Sequence, residues 1–281
     1  MGPARDGIRR PPPLRRRRPA RKVFWNGITV NQTLRVATYN IHKGFSFFKR
    51  RMVIHELRER LRALDADLVF LQEVLGNHER HAERHYNWPA APQYEFLADT
   101  MWQEYAYGRN AVYDAGHHGN AVLSRFPITR WDNQDVSTHR FERRGLLHCE
   151  IAIPRWSQPL HCICVHLGLF ARGRSRQLEW LRQRIEKLVP ADAPLIVAGD
   201  FNDWHWRHKA THELAHPLNM REVFEFVHGA PARTFPAVLP VFRLDRIYVR
   251  GFRIGLAHAH HGNVWARISD HAVLTTVLER I

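Results

Sequence analysis

Ile196-Val197-Ala198-Gly199-Asp200-Phe201-Asn202 puts three apolar residues before a glycine, then sets an acid and an amide two positions apart. In extended chain Asp200 and Asn202 face the same way. A buried strand finishing on such a pair is one piece of a polar site at the edge of a sheet. The form recurs on either side of it. Val36-Ala37-Thr38-Tyr39-Asn40 finishes on an amide, and Leu68-Val69-Phe70-Leu71-Gln72-Glu73 on a carboxylate. Leu34–Ile41 and Asp67–Leu71 read as strands, with a helix between them over Met52–Leu64, where Ile54, Leu57, Leu61 and Leu64 stand at helical spacing. Further strands are expected at 120–124, 146–153, 160–166, 195–198, 244–249 and 272–278. A second helix over Ser175–Val189 carries Leu178, Leu181, Ile185 and Leu188 on one face. Short strands of both alternating and wholly apolar pattern predict two sheets packed on each other with helices outside.

With 281 residues, 44% hydrophobic and 25% charged, the chain has ordinary globular composition and room for a large core. The expected organisation is a disordered basic tail over residues 1–33 and one domain over 34–281. The formal charge is +15, but Met1 to Lys22 holds nine basic residues and one acid, so just over half of it belongs to the tail. The balance favours a polyanionic partner, either nucleic acid or an anionic membrane surface. No obligate protein partner is implied. Cys149, Cys162 and Cys164 make neither a disulfide framework nor a paired zinc motif, and read as core thiols in a reducing compartment. No stretch suits a secretory signal or a membrane span, so a cytoplasmic protein, free or peripheral to the membrane, is expected.

Each polar residue after a strand, taken alone, is a turn residue. Together they suit a hard cation such as Mg²⁺, which takes a few oxygen ligands and keeps several waters. Asp245 interrupts the run Leu244–Val249, and a buried carboxylate inside a strand needs a partner. A histidine is the natural one.

Seven short motifs occur in order: Thr38-Tyr39-Asn40-Ile41, Leu71-Gln72-Glu73, Gly119-Asn120-Ala121-Val122-Leu123-Ser124-Arg125, Val165-His166-Leu167, Gly199-Asp200-Phe201-Asn202, Leu244-Asp245-Arg246-Ile247 and Ser269-Asp270-His271. This series resembles the endonuclease/exonuclease/phosphatase superfamily, whose members share the deoxyribonuclease-I-like fold. The resemblance implies a four-layer α/β/β/α sandwich of two mixed sheets with its site at one edge. It implies a metal-dependent phosphoesterase using Mg²⁺, with Mn²⁺ able to substitute. Glu73 would be the principal metal ligand, with Asn40 and Asp270 in or near its shell. Asp200 and Asn202 would position the attacking water and phosphate oxygens, Asp245 would hold His271 against the scissile phosphate, and His166 would lie across it. Whether Asp200 or His271 takes the water's proton stays open.

Asn120 and Arg144 resemble phosphate contacts of family members, and His42, a departure from the acid that abasic-site endonucleases carry two positions after the strand-ending Asn, could contact phosphate rather than metal. The expected reaction is hydrolysis of a phosphodiester, with nuclease action favoured by charge. A phospholipid or inositol-phosphate esterase at a membrane surface is the alternative. A catalytically silent polyanion-binding module is a third reading, disfavoured because every principal position is filled. His78, His81 and His85, expected on a helix, and His258, His260 and His261, expected on a loop, read as surface histidines. Phe45, Phe47 and Phe48 before Lys49, Arg50 and Arg51 could stack on bases, enter a membrane interface or bury their own loop.

Overall fold

The computed structural model describes residues 33–46, 51–78, 83–139, 142–204 and 214–281. The expected tail, apart from Thr33, lies outside them, as do Phe47, Phe48, Lys49, Arg50, His81 and Arg140. The named strands are β1 Thr33–Asn40, β2 Leu68–His78, β3 Glu104–Tyr113, β4 Gly116–Ser124, β5 Ile128–Asp135, β6 Gly145–Ile151, β7 Leu160–His166, β8 Leu195–Asp200, β9 Arg221–Glu222, β10 Asp245–Arg250, β11 Phe252–His260 and β12 Val273–Arg280. The helices are α1 Ile54–Ala63, α2 Gln93–Ala98, α3 Ala171–Leu188, α4 Val223–His228 and α5 Asn263–Ala266. Two six-stranded sheets result, in the orders β11-β12-β1-β2-β4-β3 and β5-β6-β7-β8-β10-β9.

The chain adopts the expected sandwich. Val36, Phe70 and Val122 of the first sheet and Cys149, Cys162, Cys164, Ile196 and Ile247 of the second share the core between the sheets. The three thiols are free and buried there. The alternate residues face outward. Ala37, Tyr39, Val69 and Leu71 pack beneath Leu57 and Leu61 of α1, while Ile163, Val165 and Val197 pack beneath Leu178, Leu181 and Ile185 of α3.

Each sheet has one parallel pair at its centre. β1 lies parallel to β2 with α1 in the connection, and β7 lies parallel to β8 with α3 in the connection. Parallel strands end on the same side, so the polar residues that finish them collect along one edge of the sandwich.

Gly199 is required where β8 meets β7. Its φ is +147°, and a Cβ there would stand 1.9 Å from the Val165 carbonyl oxygen. Gly199→Ala is therefore expected to cost about 3 kcal/mol of stability, since backbone rather than a flexible side chain would have to give way. A chemical-denaturation midpoint equal to the parent's would show that the two strands can separate freely there.

The outer face of the second sheet also buries an uncharged histidine pair. His148 Nε2 and His161 Nδ1 lie 3.0 Å apart. Burial, with Arg184 and His161 nearby, holds His148 down at about 3 against its ordinary 6.5. The unfolded chain binds this proton and the folded chain does not, so the stabilisation is complete above pH 6.5 and is lost as pH falls toward 3. His148→Gln should flatten the stability–pH curve in that window by about 1.4 kcal/mol per pH unit, one proton's linkage. An unchanged slope in urea titrations would place the titration elsewhere.

Candidate active site

In the second sheet three site residues stand abreast. The register pairs His166 with Asp200 and Asp200 with Asp245, so the side chains of neighbouring strands β7, β8 and β10 point to the same face. Asp200 is the hub. Its Oδ2 accepts from Asn40 Nδ2 at 3.1 Å across the gap between the sheets and lies 3.6 Å from His166 Nε2 and 3.8 Å from His271 Nε2. Its Oδ1 accepts from the Asn202 backbone N–H at 2.9 Å. Asn202 has φ +50°, a conformation L-residues adopt at a cost, and donates its side-chain amide to the Leu167 carbonyl at 2.8 Å.

The partner sought for Asp245 is His271. Its Nδ1 sits 2.8 Å from Asp245 Oδ2, and both residues are buried. Burial opposes charging the ring, but Asp245 and Asp200 outweigh it and raise His271 to about 10. Burial pushes Asp200 up to about 7 while the His271 charge restrains it. His166 is driven well below its ordinary range by burial and by Arg144. Two imidazoles thus flank one carboxylate, one ring charged and the other neutral at pH 7.

Sequence placed Glu73 at a strand end, and the structure corrects this. β2 runs on to His78, and Glu73 occupies a β-bulge. Between Leu71 opposite Ala121 and Val74 opposite Gly119, β2 spends one residue more than β4. Glu73 takes φ +56° there. A bulge re-aims a side chain that strict alternation would send elsewhere, and no apolar pattern reveals it. Burial works against the Glu73 charge, but His166, Lys43, His42 and His118 outweigh it and hold the carboxyl near 2.

Asp270 and Glu73 flank a single turn of 3-10 helix, His42–Gly44. His42 Nδ1 lies 3.8 Å from Asp270 Oδ1, and Lys43 Nζ lies 3.7 Å from Glu73 Oε2. His42 and Lys43 both have positive φ. The turn is fastened by His42 N–H donating to Asn40 Oδ1 at 3.1 Å. Ser269 Oγ donates to the Asn40 carbonyl at 2.7 Å and joins β1 to the Asp270-His271 segment. Lys43 and His118 were not singled out from sequence, and only their positions near Asn40 and Gly119 could have flagged them; Ser269 entered only within the Ser269-Asp270-His271 motif.

Two expected phosphate contacts serve the frame. Asn120 is buried within β4 and donates to the carbonyls of Gly145 at 3.0 Å and Cys164 at 3.4 Å. Arg144 commits all three guanidinium nitrogens to the carbonyls of Leu167 and Arg143 and to Glu142 Oε1. Its charge still reaches His166 and His118. Phe45 is buried and stacks on Trp88 at 6.1 Å. His78 ends β2, and His258 and His260 belong to β11 rather than to the helix and loop expected of them, while His261 follows β11 in a loop.

Two donor sets could receive a divalent cation. Among the described residues, Asp200, Asp245 and His271 bring ligand atoms within 4.8 Å of one another. In that group His271 already spends Nδ1 on Asp245. Ionised Glu73 with Asp270 and the Asn40 amide oxygen offers the hard oxygen donors that Mg²⁺ prefers.

Residues 37–271 match the model of the endonuclease/exonuclease/phosphatase family. The chain belongs to that family. It is accordingly a metal-dependent hydrolase of phosphoester bonds. The chain is 50% identical over 247 residues, 88% of its length and 96% of the relative's, to the uncharacterized protein YbhP of Escherichia coli K12. The same figures hold for YbhP of Shigella flexneri. Among solved structures, an endonuclease/exonuclease/phosphatase from Beutenbergia cavernae superposes with TM-score 0.67 at 18% identity, covering 88% of this chain and 72% of that one. Danio rerio TDP2 complexed with a single-strand DNA product superposes with TM-score 0.64 at 17% identity, covering 88% and 98%. At such identities the family members share the fold.

Proposed function

We propose that this family member is an Mg²⁺-dependent phosphodiesterase in which Asp200 is the general base and His271 a charged donor to the phosphate. The observation that carries the reading is the file Asp245–His271–Asp200, with separations of 2.8 Å and 3.8 Å. Water attacks phosphorus in line, its proton passes to Asp200, and the bond from phosphorus to the leaving oxygen breaks. The His271 imidazolium, fixed by Asp245, faces the charge that gathers on the non-bridging oxygens. Asn202 orients the nucleophile through Asp200, and His166 donates to the phosphate from the opposite side. Glu73, Asn40 and Asp270 would hold Mg²⁺, which would supply positive charge beside the phosphate.

The net charge supports nucleic acid as substrate, and the DNA product held by TDP2 makes nuclease action a natural reading for this fold. A lipid phosphoester is favoured by a different observation, the apolar rim described below. The test of the reaction itself uses a small soluble diester, bis-p-nitrophenyl phosphate, with Mg²⁺, with Mn²⁺ and with EDTA. Turnover is expected with either metal and not with the chelator. Metal-independent turnover, or none, would overturn the assignment.

A further inference from the structure

Two loops that spring from the active-site edge end in exposed apolar side chains. The first follows His166. Leu167 is buried and its N–H donates to the Asp200 carbonyl at 2.8 Å, whereas Leu169 and Phe170 stand 52% and 68% exposed. The second leaves the site at Thr234 and Phe235. The Thr234 hydroxyl accepts from the Asp245 N–H at 3.3 Å, and the Phe235 ring lies 5.1 Å from that of His271. Its tip carries Val238 and Leu239 at 70% and 72% exposed. Both tips are built rather than loose. Leu169 N–H donates to Glu142 and the Leu169 carbonyl accepts from buried Arg174, while Leu239 N–H donates to the Pro236 carbonyl and Val241 N–H to the Phe235 carbonyl.

The chain at both tips carries cations only, and Glu142, which meets the first tip from outside it, is paired with Arg144 at 3.2 Å. From His166 to Gln177 the sequence carries three arginines and no acid, and from Gly229 to Leu244 two arginines and no acid. Arg172, Arg176 and Arg233 are exposed. Apolar tips, three of their four side chains aliphatic, beside exposed arginines suit a surface that is negative outside and hydrocarbon within. Single-stranded nucleic acid would instead favour a row of aromatic faces on which bases stack, and of the four tip residues only Phe170 is aromatic.

We infer that the active-site rim docks on an anionic lipid bilayer, with Leu169-Phe170 and Val238-Leu239 entering the interface and the flanking arginines meeting lipid phosphates. The substrate is then a phosphodiester presented at headgroup level, beside the Asp200 hub. This rests on reading the site as a phosphodiesterase and adds the class of substrate.

The test uses the full chain and two variants, Leu169→Ser/Phe170→Ser and Val238→Ser/Leu239→Ser. Each is floated with phosphatidylcholine vesicles with and without phosphatidylglycerol, at low and high salt, and assayed on bis-p-nitrophenyl phosphate and on a single-stranded oligonucleotide. The parent should bind the anionic vesicles and retain part of that binding in high salt, where the arginine-rich N-terminal sequence is screened. Each variant should lose about tenfold of the salt-resistant binding while turning over the soluble diester at the parent rate, which also reports a folded site. Vesicle binding equal to the parent's in both variants overturns docking and leaves the phosphodiesterase reading standing. Loss of oligonucleotide binding with vesicle binding intact makes the rim a nucleic-acid surface and also overturns it. Failure of the parent to hydrolyse the soluble diester refutes the underlying reaction instead.

Discussion

His271→Gln is expected to lower kcat on a phosphodiester by about three orders of magnitude, the scale of losing one positioned acid or base in the transition state. Glutamine can still donate to Asp245 Oδ2, so the fold keeps a partner for that buried carboxylate. His271→Ala would strip the cation from two buried acids and lose several kcal/mol of stability as well. Asp245→Asn gives the sharper readout. The Asp245 charge is the main influence holding His271 at about 10 against its burial. Without it the ring's affinity for protons falls, so the charged form disappears at lower pH. The basic limb of the kcat–pH profile should move down in pH while KM changes little. A profile unmoved by Asp245→Asn would mean that the protonation of His271 plays no part in the reaction.

Glu73→Gln comes next in size. The side chain keeps its shape in the bulge, and only the charge that His42, Lys43, His118 and His166 surround is removed. Turnover at limiting Mg²⁺ should fall by about a thousandfold, and calorimetric titration of Mg²⁺ into the substrate-free protein should lose most of its heat. Unchanged titration in Glu73→Gln, with loss in Asp200→Asn, would move the metal to the Asp200, Asp245 and His271 group.

What sequence could show follows from where each element lies. The eight strands inside the two sheets, β12, β1, β2 and β4 in one and β6, β7, β8 and β10 in the other, were each legible as apolar runs. Both of their neighbours are strands, and both faces are covered. The four strands that escaped reading, β11, β3, β5 and β9, are the edges. β5, Ile-Thr-Arg-Trp-Asp-Asn-Gln-Asp, is mostly exposed and carries the polar side chains that protect a free edge from pairing with other chains. Helices α2, α4 and α5, of six, six and four residues, are too short for periodicity to declare.

The site divides along a similar line. Asn40, Asp200, Asn202 and Asp245 were visible because each ends, follows or interrupts an inner strand. His166 and the Asp270-His271 pair were visible through family motifs. The bulge at Glu73 and the His42–Gly44 turn depend on backbone conformations with positive φ at residues other than glycine, which side-chain chemistry does not announce. Arg144 and Asn120 show the converse: their residue types invite phosphate, while their hydrogen bonds go to the protein.

The hydrogen bond from Asn40 to Asp200 joins the first sheet to the second. Glu73 belongs to one sheet and Asp200, Asp245 and His166 to the other, so a ligand touching both sets works as a removable rivet through the sandwich. Its free energy of binding adds to the resistance of the whole molecule to unfolding, by mass action. Amide protons deep in β1 and β8, far from any contact with the ligand, should then exchange more slowly in its presence, and the protein would report an occupied site as a slower breathing of its two halves.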